Sequence, residues 1–512
     1  MTKKHIPIYL FLFTLIVRLL SAEYYLSGPS SIDASYYFSV ARNLYLGRGL
    51  SDNFIWNYLY LPTNITHPSF SYWMPLTSAL EYLAFLTLGI SYRVAQLPSI
   101  LLSSLLPLIT YYTGKNIFES ERIALWGAIF TIFSTPLFIE WVNPDCYSTF
   151  AFTGSLSLYL MVLGLKSGRV SYLIWAGLFV GLSSLTRVDG SLLFLVLALT
   201  LFLFSSIYKR KKVVILAILP FLLIMLPWYY RNYSLFGTLS PVGLKPIFLR
   251  RYSDLFYFGN PLLNLSGYLR WGLGNILMSK LHSLSYNFIN IGRHLSFCFF
   301  PFALIGIYKQ RREIKHLPVI AYILLLYLSL SLLFPYPASG GSLSHSLSSL
   351  LPFLFCFAIY GLDLSTEYIV KKRSGWEKTR VKRDSLIAFL IIELLICWAL
   401  FALVKPAYKN YTDTYSFFGK WAQAHTSKDV VLMSDDAATL HHYSQRRCIA
   451  TSHHNWLVVY AAAKRYGAKI LFLSRSFSEE NIFNSPPPQQ LANKISLIAD
   501  LKNYKIYEIQ NP

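Results

Sequence analysis

The chain of 512 residues is 54% hydrophobic and 17% aromatic, with only 14% charged. A soluble domain carries about 25% charged residues, so an ordinary soluble enzyme and a disordered chain are both excluded. The formal charge is +22, from 46 Lys and Arg against 24 Asp and Glu, and where those positives sit decides what they mean. Five cysteines supply no disulfide framework; Cys146, Cys298, Cys356 and Cys397 lie in or beside apolar runs, where cysteine behaves as a small hydrophobe.

A helix needs about 20 mostly apolar residues to cross the hydrocarbon. Such runs occur at 6–22, 95–113, 123–140, 146–165, 171–186, 190–207, 213–230, 284–308, 317–335, 349–369 and 385–404, about 11 crossings. A twelfth, 74–90, is ambiguous in length and carries Glu81. If it does not cross, one set of short loops collects twenty-one basic residues, including Lys209–Lys212 and the KKRSGWEKTRVKR stretch at 371–383. The longer opposite loops hold ten, so the first set is cytoplasmic and 74–90 lies on the outer surface as an amphipathic or re-entrant helix. The charge is thus a topology signal, and no nucleic-acid partner is expected.

The expected protein is mainly α: a polytopic membrane region over 1–404 with a small C-terminal α/β domain over 405–512. The N-terminus is cytoplasmic and the outer loops are 23–94, 231–283 and 335–348. Arg18 and the lack of a small-residue cleavage site before Glu23 favour a retained first helix. Sequons at Asn64, Asn232, Asn264 and Asn410 all fall outside. Beyond 405, KDVVLMSDD, RRCIATS and KILFLSR read as strands alternating with helices AATLHHYSQ and NWLVVYAAAKRYGA, and a last helix precedes YKIYEI. That alternation indicates a largely parallel sheet facing the extracytoplasmic side.

Candidate chemistry concentrates in the outer loops. Asp33 opens a helical pattern with Tyr37 and Ala41 on one face. It is equally suited to capping that helix and to accepting a proton from an attacking hydroxyl. His67-Pro68 and Trp73-Met74-Pro75-Leu76 precede the interfacial run, where Trp and Tyr also serve as membrane anchors. Asp145, flanked by Glu140, either starts the next helix or works beside Asp33 on the same face. Arg187 pairs with Asp189 across a tight turn or offers a cation to a phosphate. Arg231, Gly340-Gly341 and His345 sit at other outer mouths.

In order and sidedness these motifs resemble the GT-C superfamily of integral-membrane glycosyltransferases, which includes protein O-mannosyltransferases, aminoarabinose transferases and RgtA/B/C/D-like transferases. The matching pieces are Asp33 with Tyr37 and Ala41, the His-Pro and Trp-Met-Pro-Leu segment, Ala95–Ser99, and Asn143-Pro-Asp145. Leu185–Gly190, Pro227-Trp, Arg231–Gly237 and Gly341–His345 complete the set, which spans about 1–404. The resemblance implies transfer of a sugar from a polyprenyl (dolichyl or undecaprenyl) phosphate donor to a hydroxyl of a protein, lipid or glycan on the outer face of the cell membrane. It implies Asp33 as catalytic base and Asp145 as a second acid near the acceptor or a metal. Arg187, Arg231 and His345 fall at the donor phosphate, and Tyr37, His67 and Trp73 at the substrate. A divalent cation such as Mg or Mn is optional. Many relatives place a second acid directly after the first; here Ala34 follows Asp33, leaving a single base.

The rival reading is a transporter or flippase, which would bury ionisable residues in mid-crossing and show repeated halves. Arg18, Arg293 and Glu393 are the principal charges inside crossings, and no two halves match. In the C-terminal segment His441-His442 and His453-His454 lie near Cys448, but adjacent histidines point apart on a helix and do not make a zinc pair. Acceptor recognition is the expected role of that domain.

Overall fold

A computed structural model describes residues 3–26, 28–135, 137–334, 342–373, 376–452, 454–478 and 480–510. Gly340, Gly341, His453 and the first half of the expected loop 335–348 lie outside them. The helices are α1 (Ile6–Tyr25), α2 (Ile32–Tyr45), α3 (Leu76–Leu88), α4 (Tyr92–Asn116), α5 (Glu121–Ile132), α6 (Cys146–Ser167), α7 (Val170–Thr186), α8 (Ser191–Tyr208) and α9 (Val213–Phe236). There follow α10 (Leu265–Arg270), α11 (Leu273–His294), α12 (Phe300–Gln310), α13 (Leu317–Leu328), α14 (Ser342–Leu347), α15 (Leu351–Lys372) and α16 (Lys378–His425). Among the described residues eight helical spans are long and apolar enough to cross a membrane, and α7 is a shorter apolar helix. The chain is a multi-pass membrane protein. α3, with 13 residues, reaches about 20 Å at 1.5 Å per residue, short of a hydrocarbon core of about 30 Å.

Helices pack closely where one side contributes glycine. A Cβ on Gly177 would overlap the carbonyl of Ala217 across α7 and α9, and one on Gly361 the carbonyl of Phe302 across α12 and α15. Small residues let backbones approach in a solvent that offers no hydrophobic drive between helices.

Two expected crossings are broken. The run 123–140 stops being helical at Ile132, because Thr135 precedes Pro136 and that residue is pushed out of the helical region. The backbone groups this frees are satisfied by charges that sequence reasoning marked only as intramembrane. Arg18 donates to the Ile132 carbonyl at 2.8 Å and lies over Phe138, 5.1 Å from its ring centre. Glu393 accepts from the Thr135 N–H at 3.0 Å and hydroxyl at 2.7 Å. Irregular backbone at membrane depth is tolerable only with such partners. The run 284–308 divides into α11 and α12, with Ser296 and Phe297 at positive φ between them. α11 also begins eleven residues earlier than the apolar run, because its buried face is polar (Ser283, Asn287, Asn290, His294).

The last helix leaves the bundle without ending. α16 runs 48 residues, about 72 Å, and delivers the chain to β4 (Val431–Ser434), α17 (Ala437–Ser444), β5 (Cys448–Ala450), α18 (Trp456–Tyr466), β6 (Ala468–Ser474), α19 (Glu480–Asn484), β7 (Ile495–Leu501) and β8 (Tyr504–Ile509). The expected final helix is instead β7. Its Ile-Ser-Leu-Ile-Ala-Asp-Leu sequence folds back on β8 through Lys502-Asn503 as an antiparallel hairpin. Three short strands come from the first loop: β1 (Ser51–Asp52), β2 (Phe54–Ile55) and β3 (His67–Pro68). β2 is the edge of the six-stranded sheet, whose order is β2-β5-β4-β6-β8-β7, pairing parallel with β5. Residues some 390 positions apart thus share one sheet, and the first loop is built into the C-terminal unit.

Candidate active site

α2 is capped by Ser31, whose hydroxyl accepts the Ala34 N–H at 3.2 Å. That frees Asp33, two residues on, from the capping role the sequence also allowed. Its Oδ2 lies 3.6 Å from His345 Nε2, and its side chain keeps 21% of its surface open while the histidine keeps 8%. Burial raises the Asp33 carboxyl to about 7, an effect that nearby Arg187 opposes and Glu140 and Asp436 reinforce. A carboxylate poised there is matched to taking a proton near neutrality.

Around Asp33 the residues come from four separate segments. The His345 ring, on α14, stacks on Tyr147 of α6 with centroids 3.6 Å apart. Arg187, in the turn after α7, gives its Nε–H to Asp189 at 2.9 Å and to Ser346 at 3.2 Å, and its Nη1 to Cys146 at 3.5 Å. Ser346 donates in turn to Asp189. Tyr37, buried one turn beyond Asp33, lies within electrostatic reach of Cys146. Asp33, Cys146 and His345 present ligand atoms within 4.8 Å of one another. This oxygen, sulfur and nitrogen set suits Zn²⁺, whereas the expected Mg or Mn prefers oxygen alone.

Asp145 does start a helix: as N-cap of α6 it accepts the Tyr147 N–H at 2.9 Å. It also belongs to an acidic group. The Asn143 amide bridges Asp145 at 3.2 Å and Glu140 at 3.3 Å, and Glu140 accepts from Tyr408 at 2.8 Å. Burial pushes both carboxyls up; Glu140 raises Asp145 further, while the bonds from Tyr408 and Asn143 pull Glu140 back down. Glu81 of α3, 1% exposed, lies within electrostatic reach of Asp145.

The remaining expected residues gather in a second group. Arg231 donates to the Ser69 carbonyl at 2.9 Å and to Asn232 at 3.0 Å, and sits over Trp228, 4.6 Å from its ring centre. His67 Nε2 faces Asp52 at 3.7 Å, and Asp52 accepts from Tyr36 at 3.1 Å. Trp73 is neither free anchor nor open platform, since Trp56 stacks on it at 4.1 Å and Tyr37 at 5.8 Å. Asp33, Tyr37, Arg187 and His345 are therefore brought together, Asp145 stands beside them, and Arg231 and His67 belong to the Asp52 group. Sequence reasoning missed Asp52, Cys146 and Tyr147. Asp52 sits in a polar loop with no pattern, but Cys146 and Tyr147 directly follow Asp145 and were open to notice. In the C-terminal unit His441 Nδ1 lies 2.6 Å from the Arg446 carbonyl and the His442 ring meets Phe38 edge-on.

A family model for dolichyl-phosphate-mannose-protein mannosyltransferases matches residues 67–230. Among solved structures, the chain resembles the archaeal oligosaccharyltransferase AglB from Archaeoglobus fulgidus in complex with an inhibitory peptide and a dolichol-phosphate. The identity is 13%, over 91% of this chain and 70% of that one, with a TM-score of 0.58. It resembles equally ArnT from Cupriavidus metallidurans bound to undecaprenyl phosphate, at 12% identity over 98% and 97%, with a TM-score of 0.55. The chain has the GT-C glycosyltransferase fold. A further GT-C match is the Archaeoglobus fulgidus oligosaccharyltransferase in complex with Zn and sulfate, at 13% identity over 90% and 68%, TM-score 0.54. No curated protein matches the chain. The GT-C likeness extends past the bundle, since ArnT aligns over nearly the whole length of both chains.

Proposed function

We propose that the chain transfers a sugar from a polyprenyl-phosphate donor to a hydroxyl acceptor on the membrane face opposite its basic loops. The observation that carries this is the half-buried Asp33 carboxyl, 3.6 Å from His345 and within electrostatic reach of Arg187. The match to mannosyltransferases over 67–230, and the dolichol-phosphate, undecaprenyl phosphate and peptide named for the similar structures, support the same substrate classes.

In this reading Asp33 takes the proton of the acceptor hydroxyl as its oxygen bonds to the anomeric carbon. The bond from that carbon to the phosphate oxygen breaks, and the lipid phosphate leaves with the electron pair. Arg187 supplies positive charge and hydrogen bonds for that phosphate, His345 offers it a ring nitrogen, and the Asp189–Ser346 pair holds the guanidinium in place. Arg231, braced by Ser69 and stacked on Trp228, serves a more distant part of the donor.

The test incubates purified protein in lipid nanodiscs with radiolabelled polyprenyl-phosphate sugars and a membrane extract. A labelled product that vanishes with Asp33→Asn supports the proposal. A folded protein yielding no product from any donor, or full turnover by Asp33→Asn, overturns it.

A further inference from the structure

The helix that carries Asp33 is gripped by the unit at the other end of the chain. Three pairs join α2 to α17. Ser35 Oγ lies 2.6 Å from Thr439 Oγ1, the Phe38 ring meets His442 edge-on at 5.0 Å, and Arg42 donates to Gln445 at 2.6 Å. Steps of three and four residues on α2, and of three on α17 and its C-cap Gln445, place each set on one face. The pair nearest Asp33 is also the most buried, with Ser35 and Thr439 both inaccessible.

Behind Thr439 stands a hydrogen-bonded chain whose direction follows from chemistry. Asp436 accepts the Thr439 N–H at 2.9 Å and hydroxyl at 2.7 Å, and also the Tyr411 hydroxyl from α16. A carboxylate only accepts, so the single hydroxyl proton of Thr439 goes to Asp436 and its oxygen is left to receive. The Ser35 hydroxyl is therefore the donor of the 2.6 Å bond. A helical serine ordinarily returns its proton to the backbone one turn back; this one gives it to another structural unit. The parallel pairing of β2 with β5 fixes the same loop a second time, at Phe54–Ile55.

We infer that the chain Tyr411–Asp436–Thr439–Ser35 is a positioning device for the reaction centre, through which the α/β unit sets the rotation and depth of α2 and so the aim of Asp33. Thr439 and Ser35 are positioning residues, since neither is placed to touch substrate. The inference rests on Asp33 being the base. A shift of about 1 Å at a reacting group is enough to lower turnover about a hundredfold.

The experiment compares Thr439→Val and Thr439→Ser with the parent in the full-length protein in nanodiscs, reading kcat, donor KM and hydrogen exchange. Thr439→Val is expected to lower kcat about ten- to a hundredfold with donor KM changed by less than about twofold. Exchange should quicken in 32–45 while 431–434 and 468–474 stay protected, and Thr439→Ser should restore both. Unchanged kcat and exchange in Thr439→Val overturn the inference. Should that variant loosen the sheet itself, Ser35→Ala carries the test from the α2 side, with the same loss expected and unchanged kcat fatal. The base assignment fails separately, if Asp33→Asn still turns over; exchange in 32–45 reports the grip on α2 without turnover.

Discussion

His345 Nε2 and Asp33 Oδ2 lie 3.6 Å apart although 312 positions separate them, so α2 and α14 meet at one point. The histidine is fixed from its other side by the Tyr147 ring. Replacing it tests whether it serves the donor phosphate. His345→Ala is expected to raise donor KM and lower kcat together, because its imidazole would meet the phosphate both in binding and in departure. Steady-state kinetics with varied donor checks this, and a change confined to acceptor KM contradicts it.

Asp33 itself has a pH signature. Its carboxyl titrates at about 7 in the fold, and the base must be ionised to work. Turnover at limiting substrate should rise with pH through about 7 and level off above it. Asp436→Asn, which keeps the helix cap but removes a negative charge that holds Asp33 up, should move that midpoint to lower pH. A flat profile between pH 5 and about 9 rules out Asp33 as the titrating base.

The same shift has a cost in stability. The folded state binds the Asp33 proton more tightly than the unfolded chain, whose aspartate titrates at 3.8. Stability from this group is therefore complete below about pH 4 and is lost as pH rises through about 7. At pH 8 Asp33→Asn should melt above the parent while making no product, as thermal unfolding in detergent would report. A lower melting temperature at that pH contradicts the burial account.

Arg187 is held by three partners and holds them in turn. Arg187→Ala leaves Asp189, whose side chain is 13% exposed, without its cation. Removing one partner of a buried pair costs about 3–5 kcal/mol, toward the lower end here because the turn retains some solvent. Arg187→Lys keeps the charge but loses the planar fork, so it should fold and bind donor less tightly. Melting and donor binding distinguish the two variants.

Gly361 gives a purely structural control. A Cβ there would overlap the Phe302 carbonyl across α12 and α15. Gly361→Ala should force the helices apart at about 1–3 kcal/mol, read as a lower melting temperature. An unchanged melting temperature shows that this contact is looser than the backbone approach implies.

Much of this was legible beforehand. Apolar runs marked the membrane region because bilayer thickness imposes their length, and the alternation of strand-like and helix-like segments after 428 marked β4, α17, β5, α18 and β6. The errors fall where local composition and tertiary context disagree. The run 123–140 is mostly apolar, yet its helix ends at Ile132 ahead of Thr135-Pro136, and the freed backbone finds Arg18 and Glu393 as partners. α11 hides its first half because its polar residues face inward. β7 was read as helix although its partner β8 follows after only Lys502-Asn503, because Ile-Ser-Leu-Ile-Ala-Asp-Leu breaks strict alternation at Leu497–Ala499. In the site, Asp33, Arg187 and His345 were found by residue type and position. Cys146 and Tyr147 were passed over as apolar helix content, and Asp52 was silent because only folding brings it to Tyr36 and His67.

The edge strand at Phe54–Ile55 has a consequence for biogenesis. Its neighbour, Cys448–Ala450, is synthesised only after every crossing has been inserted, so β2 waits with an open edge through almost the whole of translation. Closing so long a loop is entropically slow. The reaction centre is thus the last part of the molecule to mature, and a ribosome stalled late leaves an integrated, fully threaded bundle with no grip on its own aspartate.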